Sequence, residues 1–300
     1  MTRQRHALAL CAILAASTAL AQTVPEQVER FVAACVDEDS DDRTSVTACD
    51  RAVELVERSG GVADEQMARL LFARARRNVG IGLGEDNQSA RDRAREDLER
   101  SLALRPLSDE ASVARFWLGR LDAEDGKHYE ATERFAVVIR DDAELAPFAL
   151  TLRGQSWWRK DHGILARLDY NAALRLDPKN ASALYFRGAL NGEEGRVAEA
   201  LADYTAALEA APGHLSARYN RALIQIDRKN HGAALADLDE LIGRSPGAAH
   251  YFNKRGDVHA RMNDQARAIA DYRTAARLAP DNIGYRKDLE AAMKQQRAKR

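Results

Sequence analysis

Residues 181–214 read ASALYFRGALNGEEGRVAEALADYTAALEAAPGH, and what recurs 34 positions to either side of them decides how the chain is organised. Pro212 has counterparts at Pro178, Pro246 and Pro280, and Ala200 at Ala166, Ala234 and Ala268. Gly188 is matched by Gly154 and Gly256, with Ala222 in the remaining slot. Tyr204 is matched by Tyr170 and Tyr272, with Leu238 in theirs, and Ala207 by Ala173 and Ala275, with Leu241. These columns divide the chain into consecutive units at 147–180, 181–214, 215–248 and 249–282. Each unit reads as two antiparallel helices. In 181–214 the first spans about Ser182–Glu194, Gly195 permits the turn, and the second spans about Val197–Ala210. Pro212 ends it, because proline cannot continue a helix interior. Gly188 and Ala200 are small where the two helices approach. Tyr204 and Ala207 form an apolar stripe at i, i+3 spacing. One hairpin cannot bury its apolar face alone, so the units must stack.

The column set resembles the tetratricopeptide repeat: a small residue, then Ala, an aromatic, Ala and Pro at fixed intervals in a period of 34. The resemblance implies an all-α fold, an α-solenoid of stacked antiparallel helix pairs in a right-handed superhelix. It covers 147–282 without insertion. A degenerate repeat occupies 109–146, with Gly119, Gly126, Ala131, Phe135 and Val138 in equivalent slots but no proline. Residues 61–108 read as a degenerate unit with a loop insertion. Ala94, Leu98, Ser101 and Pro106 fit a second helix, and a first helix at about Ala63–Arg77 is separated from it by a loop over Asn78–Gln88. Residues 22–60 form a helical hairpin, and 283–300 a capping helix and basic tail.

One pair of columns lies outside the family signature. Arg153, Arg187, Arg221 and Arg255 share a position in the first helix, and Asp169, Asp203, Asp237 and Asp271 a position in the second. The degenerate repeat holds Leu118 and Arg134 there, so the pair is lost jointly. Each Arg is expected to bond an Asp, within its unit or across to a neighbour.

The amino terminus has the layout of a secretory signal peptide over residues 1–21. Arg3, Arg5 and His6 precede the apolar run Ala7–Ala16, and Ala19-Leu20-Ala21 offers a small-x-small cleavage site. That apolar run is shorter than the ~20 residues a membrane-spanning helix needs. Export to the periplasm or beyond is the expectation. Cleavage would leave Cys35 and Cys49 in a compartment that permits oxidation. A disulfide between them would staple the first hairpin across the turn Asp37–Asp42, worth about 3 kcal/mol in the chain-entropy model. Two buried free thiols are the alternative, and a redox pair would favour Cys-x-x-Cys spacing.

Composition narrows the function. With 45 basic against 46 acidic residues, the chain lacks the basic excess of a general nucleic-acid binder. No zinc-ligand spacing or Gly-x-Ser-x-Gly elbow occurs, so no cofactor or metal is expected. Gly80-Ile81-Gly82-Leu83-Gly84 lacks the Gly-Lys-Ser/Thr ending of a phosphate loop and reads as a flexible inter-helix loop. Acidic pairs such as Glu193-Glu194 read as solvated helix ends. The chain is therefore read as a non-catalytic scaffold for a protein or peptide, with a role in envelope assembly. The alternatives are an architectural subunit that self-associates through its solenoid ends and an accessory subunit of an envelope enzyme. The resemblance implies that the first helices line a concave binding face. It carries over to Gln155, Trp158, Tyr185, Tyr219, Leu223, Asn253 and Arg261 as partner-binding positions. Trp158 stands out because Trp157 already takes the core slot beside it; packing against the preceding unit is its alternative. The carboxylate clamp of some family members is not carried over, since only Asn220 and Lys254 fall on its columns.

Overall fold

The computed structural model describes residues 42–59, 63–84 and 87–298, together with residues 33 and 35. Residues 1–21, where a signal peptide is expected, most of the expected first helix of the N-terminal hairpin, the expected turn at 37–42 except its last residue, and residues 299–300 lie outside them. Fourteen helices and no strand are present among the described residues, an all-α helical repeat architecture. None of these helices is long and apolar enough to cross a membrane. The chain divides into two compact units, one ending at Ala149 and one beginning at Leu150.

The first unit holds α1 (Asp42–Ser59), α2 (Asp64–Gly84), α3 (Gln88–Leu104), α4 (Glu110–Glu124) and α5 (His128–Asp141), each packed on the next. Ala52, Val53, Val56, Leu70 and Leu71 close the interior of the α1–α2 hairpin beside Cys35 and Cys49. Those two cysteines are bridged, with Cα atoms 4.8 Å apart. Ala75, Val79, Ala94, Leu98, Leu118 and Leu121 fill the next layer. The loop expected over 78–88 is not there: α2 continues through Gly80, Gly82 and Gly84, and only 85–87 separate it from α3. Gly82 shows why a glycine-rich stretch stays helical. A Cβ there would lie 2.7 Å from Arg91 Cγ and 3.0 Å from the Arg91 backbone nitrogen, so the small residue admits the crossing of α3.

The second unit continues from α6 (Ala146–Arg159), which straddles the boundary, through α7 (Gly163–Leu176), α8 (Ala181–Glu193), α9 (Val197–Ala210) and α10 (Leu215–Asp227). It ends with α11 (His231–Arg244), α12 (Ala249–Arg261), α13 (Gln265–Leu278) and α14 (Ile283–Ala298). Pro178, Pro212, Pro246 and Pro280 each fall two residues beyond the end of a second helix. The turn between paired helices needs one left-handed residue in the same slot each time: Asp161, Gly195, Lys229 and Asn263, at φ between 60° and 73°. Ala292 of α14 is buried against α13, with Leu289 and Met293 beside it.

Close approach of the paired helices is set by one contact. A Cβ on Gly154, Gly188 or Gly256 would lie 2.6, 3.0 or 2.8 Å from the ring of Tyr170, Tyr204 or Tyr272. Where Ala222 replaces the glycine, Leu238 replaces the tyrosine, and both are fully buried. In the first unit Gly119 faces Phe135 in the same way.

The Arg and Asp columns pair within every full repeat. Arg187 donates through Nε and Nη2 to both carboxylate oxygens of Asp203, at 3.0 and 2.6 Å. Arg153–Asp169, Arg221–Asp237 and Arg255–Asp271 repeat the fork at 2.7 to 2.9 Å. The arginines also reach across the stack. The free Nη1 of Arg187, Arg221 and Arg255 donates to Asn171, Thr205 and Asp239 on the preceding second helix. In the degenerate repeat the polarity is exchanged rather than lost. Arg134, on the second helix, donates to Asp122 on the first, at 2.6 Å. A further fork joins Arg74 to Asp97 between α2 and α3 at 2.7 Å.

Candidate functional site

The first helices of successive repeats lie side by side, so a residue meets positions about one repeat further on. Trp158, in the last turn of α6, illustrates this. Its indole N–H donates to Glu193 Oε2 of α8 at 2.7 Å, and its ring meets Phe186 edge-on at 6.4 Å. It packs on the following repeat. Its slot holds Gly192, Ile226 and Ala260 in the later repeats, so stacking does not demand an indole there.

Around Trp158 the structure opens a cavity of about 430 Å³ lined by Gln155, Trp158, Arg159, Asp161, Tyr185, Phe186 and Glu193. Tyr185 and Phe186 are inclined to one another with centroids 5.1 Å apart. With Trp158 they form an aromatic corner bordered by the carboxylates of Asp161 and Glu193. Behind it Tyr170 stacks on Phe186. Burial holds the Tyr170 phenol far above its usual range, and its hydroxyl has no partner. The Tyr204 hydroxyl, by contrast, accepts from Asn220, and that of Tyr272 donates to Asp257.

Three of the positions marked from the sequence, Gln155, Trp158 and Tyr185, therefore come together in one cavity. The others lie elsewhere. Tyr219 is half-buried between the rings of His250 and Tyr251, 5.4 and 5.5 Å away, and Leu223 packs into the same α10–α12 layer. Arg261 is exposed. Asn253 is 6% exposed and donates to Asp288 of α14 at 2.9 Å, so the capping helix occupies its amide. Asn220 and Lys254, on the clamp columns, are engaged by Tyr204 and Asp257.

Sequence reasoning missed Phe186, Asp161 and Glu193. The pair Glu193-Glu194 is not simply solvated: Glu193 accepts from Trp158 and Glu194 from Arg167. A signal was available. Trp158–Glu193 and Asn253–Asp288 are both separated by 35 residues, the offset at which stacked first helices touch.

A model described as Tetratricopeptide repeat matches residues 165–214, 192–249 and 219–283. No curated protein matches the chain in sequence. Among solved structures, the Cut9–Hcn1 hetero-tetramer of the APC/C superposes with a TM-score of 0.59 at 14% identity, over 84% of this chain and 53% of that one. The chain thus spans about half the length of that relative. The C-terminal part of a TPR repeat-containing protein from Cytophaga hutchinsonii gives a TM-score of 0.57 at 17% identity, over 83% and 98% of the two chains. Yeast Tom70 gives 0.54 at 15%, over 92% and 65%. At these identities the likeness is one of fold.

Proposed function

We infer that this chain, a tetratricopeptide-repeat protein, works as a non-catalytic exported scaffold that holds a peptide or protein segment on the face carried by its first helices. The observation that carries this reading is the cavity at Trp158. Three of the residues marked as binding positions converge there, on a ring whose slot elsewhere in the array needs only Gly, Ile or Ala. Tyr and Trp are the residue types that concentrate binding energy at interfaces. The signal-peptide layout of residues 1–21 supports export, and a partner in the cell envelope would follow from it.

The test replaces Trp158 with a photo-crosslinking phenylalanine analogue in the full-length exported protein and identifies the crosslinked product by mass. A discrete protein product, lost when Gln155→Ala and Tyr185→Ala are added while the helical melt is unchanged, supports the scaffold. A product distribution identical to that of a probe placed at exposed Glu290 would refute it. Amino-terminal sequencing of the same sample reads the cleavage site.

A second reading, self-association, is favoured by one feature. The outer face of α7 exposes Ile164 at 80% and Leu168 at 59%, where later repeats hold Ala198 and Ala202, Gly232 and Ala236, or Ala266 and Ala270. A solution mass above that of one chain, reduced by Ile164→Ser with Leu168→Ser, would establish it.

A further inference from the structure

We propose that the cavity between α6 and α8 receives a basic side chain, lysine or arginine, presented by the bound peptide. The inference rests on the scaffold reading above and specifies the chemistry of the partner.

Three observations carry it. First, three aromatic rings set at angles to one another line it. Trp158 and Phe186 are inclined by 71°, and Tyr185 and Phe186 by 59°. The faces of aromatic rings carry negative electrostatic potential, so an inclined set attracts a cation, and the attraction grows when water is excluded. Second, the polar groups that complete the lining favour positive charge. Asp161 and Glu193 contribute two carboxylates against the single guanidinium of Arg159. Glu193 uses Oε2 to accept from the Trp158 indole N–H, which fixes ring and carboxylate relative to one another before any ligand arrives. Its second oxygen can accept from an ammonium or guanidinium, and such a charge-assisted bond is the stronger kind.

Third, the arrangement is not repeated. At the next junction the slots of Gln155, Trp158 and Phe186 hold Ala189, Gly192 and Asn220, and at the one after, Leu223, Ile226 and Lys254. Positions needed for stacking recur every 34 residues; this constellation occurs at one junction and is not required by the stack. The volume, about 430 Å³, lies within the ~300–1,000 Å³ of sites that enclose a small ligand.

The experiment follows the indole N–H resonance of Trp158 in the ¹⁵N-labelled full chain, assigned by its absence in Trp158→Phe. The probes are five-residue glycine peptides, capped at both ends, with lysine, arginine, norleucine or glutamate in the centre, and free n-butylammonium. The lysine and arginine peptides are expected to shift the resonance saturably, and norleucine and glutamate not to. Glu193→Gln keeps an acceptor for the indole but removes the charge, and should weaken the lysine peptide at least about fivefold. Equal binding of norleucine, preferential binding of glutamate, an unchanged affinity in Glu193→Gln, or no saturable shift with any peptide would each overturn the proposal. Binding of n-butylammonium as tight as that of the lysine peptide would also overturn it, by assigning the cavity to free amines. The crosslinking experiment keeps the two readings apart. A specific crosslink at a site without lysine or arginine sinks the cation proposal and leaves the scaffold standing.

Discussion

Lys229 occupies the turn slot that Gly195 fills one repeat earlier, at φ 60°. A side chain in that left-handed region crowds its Cβ against the following carbonyl, at a cost of roughly 1–2 kcal/mol that glycine avoids. Glycine also loses more backbone freedom on folding, which offsets part of the gain. Lys229→Gly should therefore stabilise the protein by about 1 kcal/mol, read as a higher urea midpoint with unchanged slope. A lower midpoint would mean that the lysine makes a contact worth more than the strain. Asp161 and Asn263 share the slot at φ 61°; such short polar residues tolerate this conformation better, so the effect should be largest at Lys229. Nothing in the sequence marked Lys229 as special. Its conformation became legible only by alignment with Gly195, which the period supplied.

At the scale of paired helices, the Gly–Tyr contact sets how closely they lie. A Cβ at Gly188 would meet Tyr204 Cε1 at 3.0 Å and Asp203 Cβ at 3.1 Å. Gly188→Ala should destabilise by about 1–3 kcal/mol, the usual result of overpacking. The Ala222–Leu238 pair is the chain's own solution to the same problem, so Gly188→Ala combined with Tyr204→Leu should cost less than the sum of the two single changes. A coupling of zero in the double-mutant cycle would show that the contact does not control the spacing.

The start of α10 carries a pH dependence. His214 caps the helix by accepting the Ala217 backbone N–H at Nδ1, 3.2 Å away, and burial lowers its pKa below the ordinary 6.5. A protonated imidazole cannot accept that bond, and its charge opposes the positive end of the helix dipole. Because the folded pKa lies below the unfolded one, the stabilisation is complete above about pH 6.5 and is lost as pH falls through the folded value. His250, lowered by burial in the same direction, adds to the slope. His214→Asn preserves the cap and should flatten the decline in urea stability from pH 7 to pH 5. An unchanged slope would assign the decline to other groups.

Across the second unit, the Arg–Asp forks run through all four full repeats and three of the arginines also bridge neighbours. Magnitude separates these pairs from ordinary surface ones. The Asp203 side chain is 8% exposed and also accepts from Asn191, whereas Glu240 and Arg244 are about half exposed. Removing one partner of a buried pair costs about 3–5 kcal/mol, because the other charge is left unpaired; an exposed pair is worth about 0–1 kcal/mol. Asp203→Ala should thus destabilise several times more than Glu240→Ala in urea unfolding. Equal effects would place the ladder among solvated charges.

What the sequence alone determined is the periodic part: the 34-residue phase, the hairpin within each unit, the small residues at the helix approach and the Arg–Asp columns; that each glycine meets the tyrosine ring came from the structure. The periodic features recur, so each instance corroborates the next, and helix geometry places equivalent residues in equivalent surroundings. Even the cysteine pair was legible, because Cys35 and Cys49 flank the expected turn of the first hairpin. The tertiary structure alone decided what breaks the period. It carried α2 through the glycine-rich stretch, because Gly82 makes room for the crossing of α3. It reversed the charges of the fork at Asp122 and Arg134, buried Asn253 under α14, and gathered Phe186, Asp161 and Glu193 around Trp158. Those outcomes depend on the distance and angle at which one hairpin meets the next, which the stacking of many side chains sets together and no single column of residues encodes.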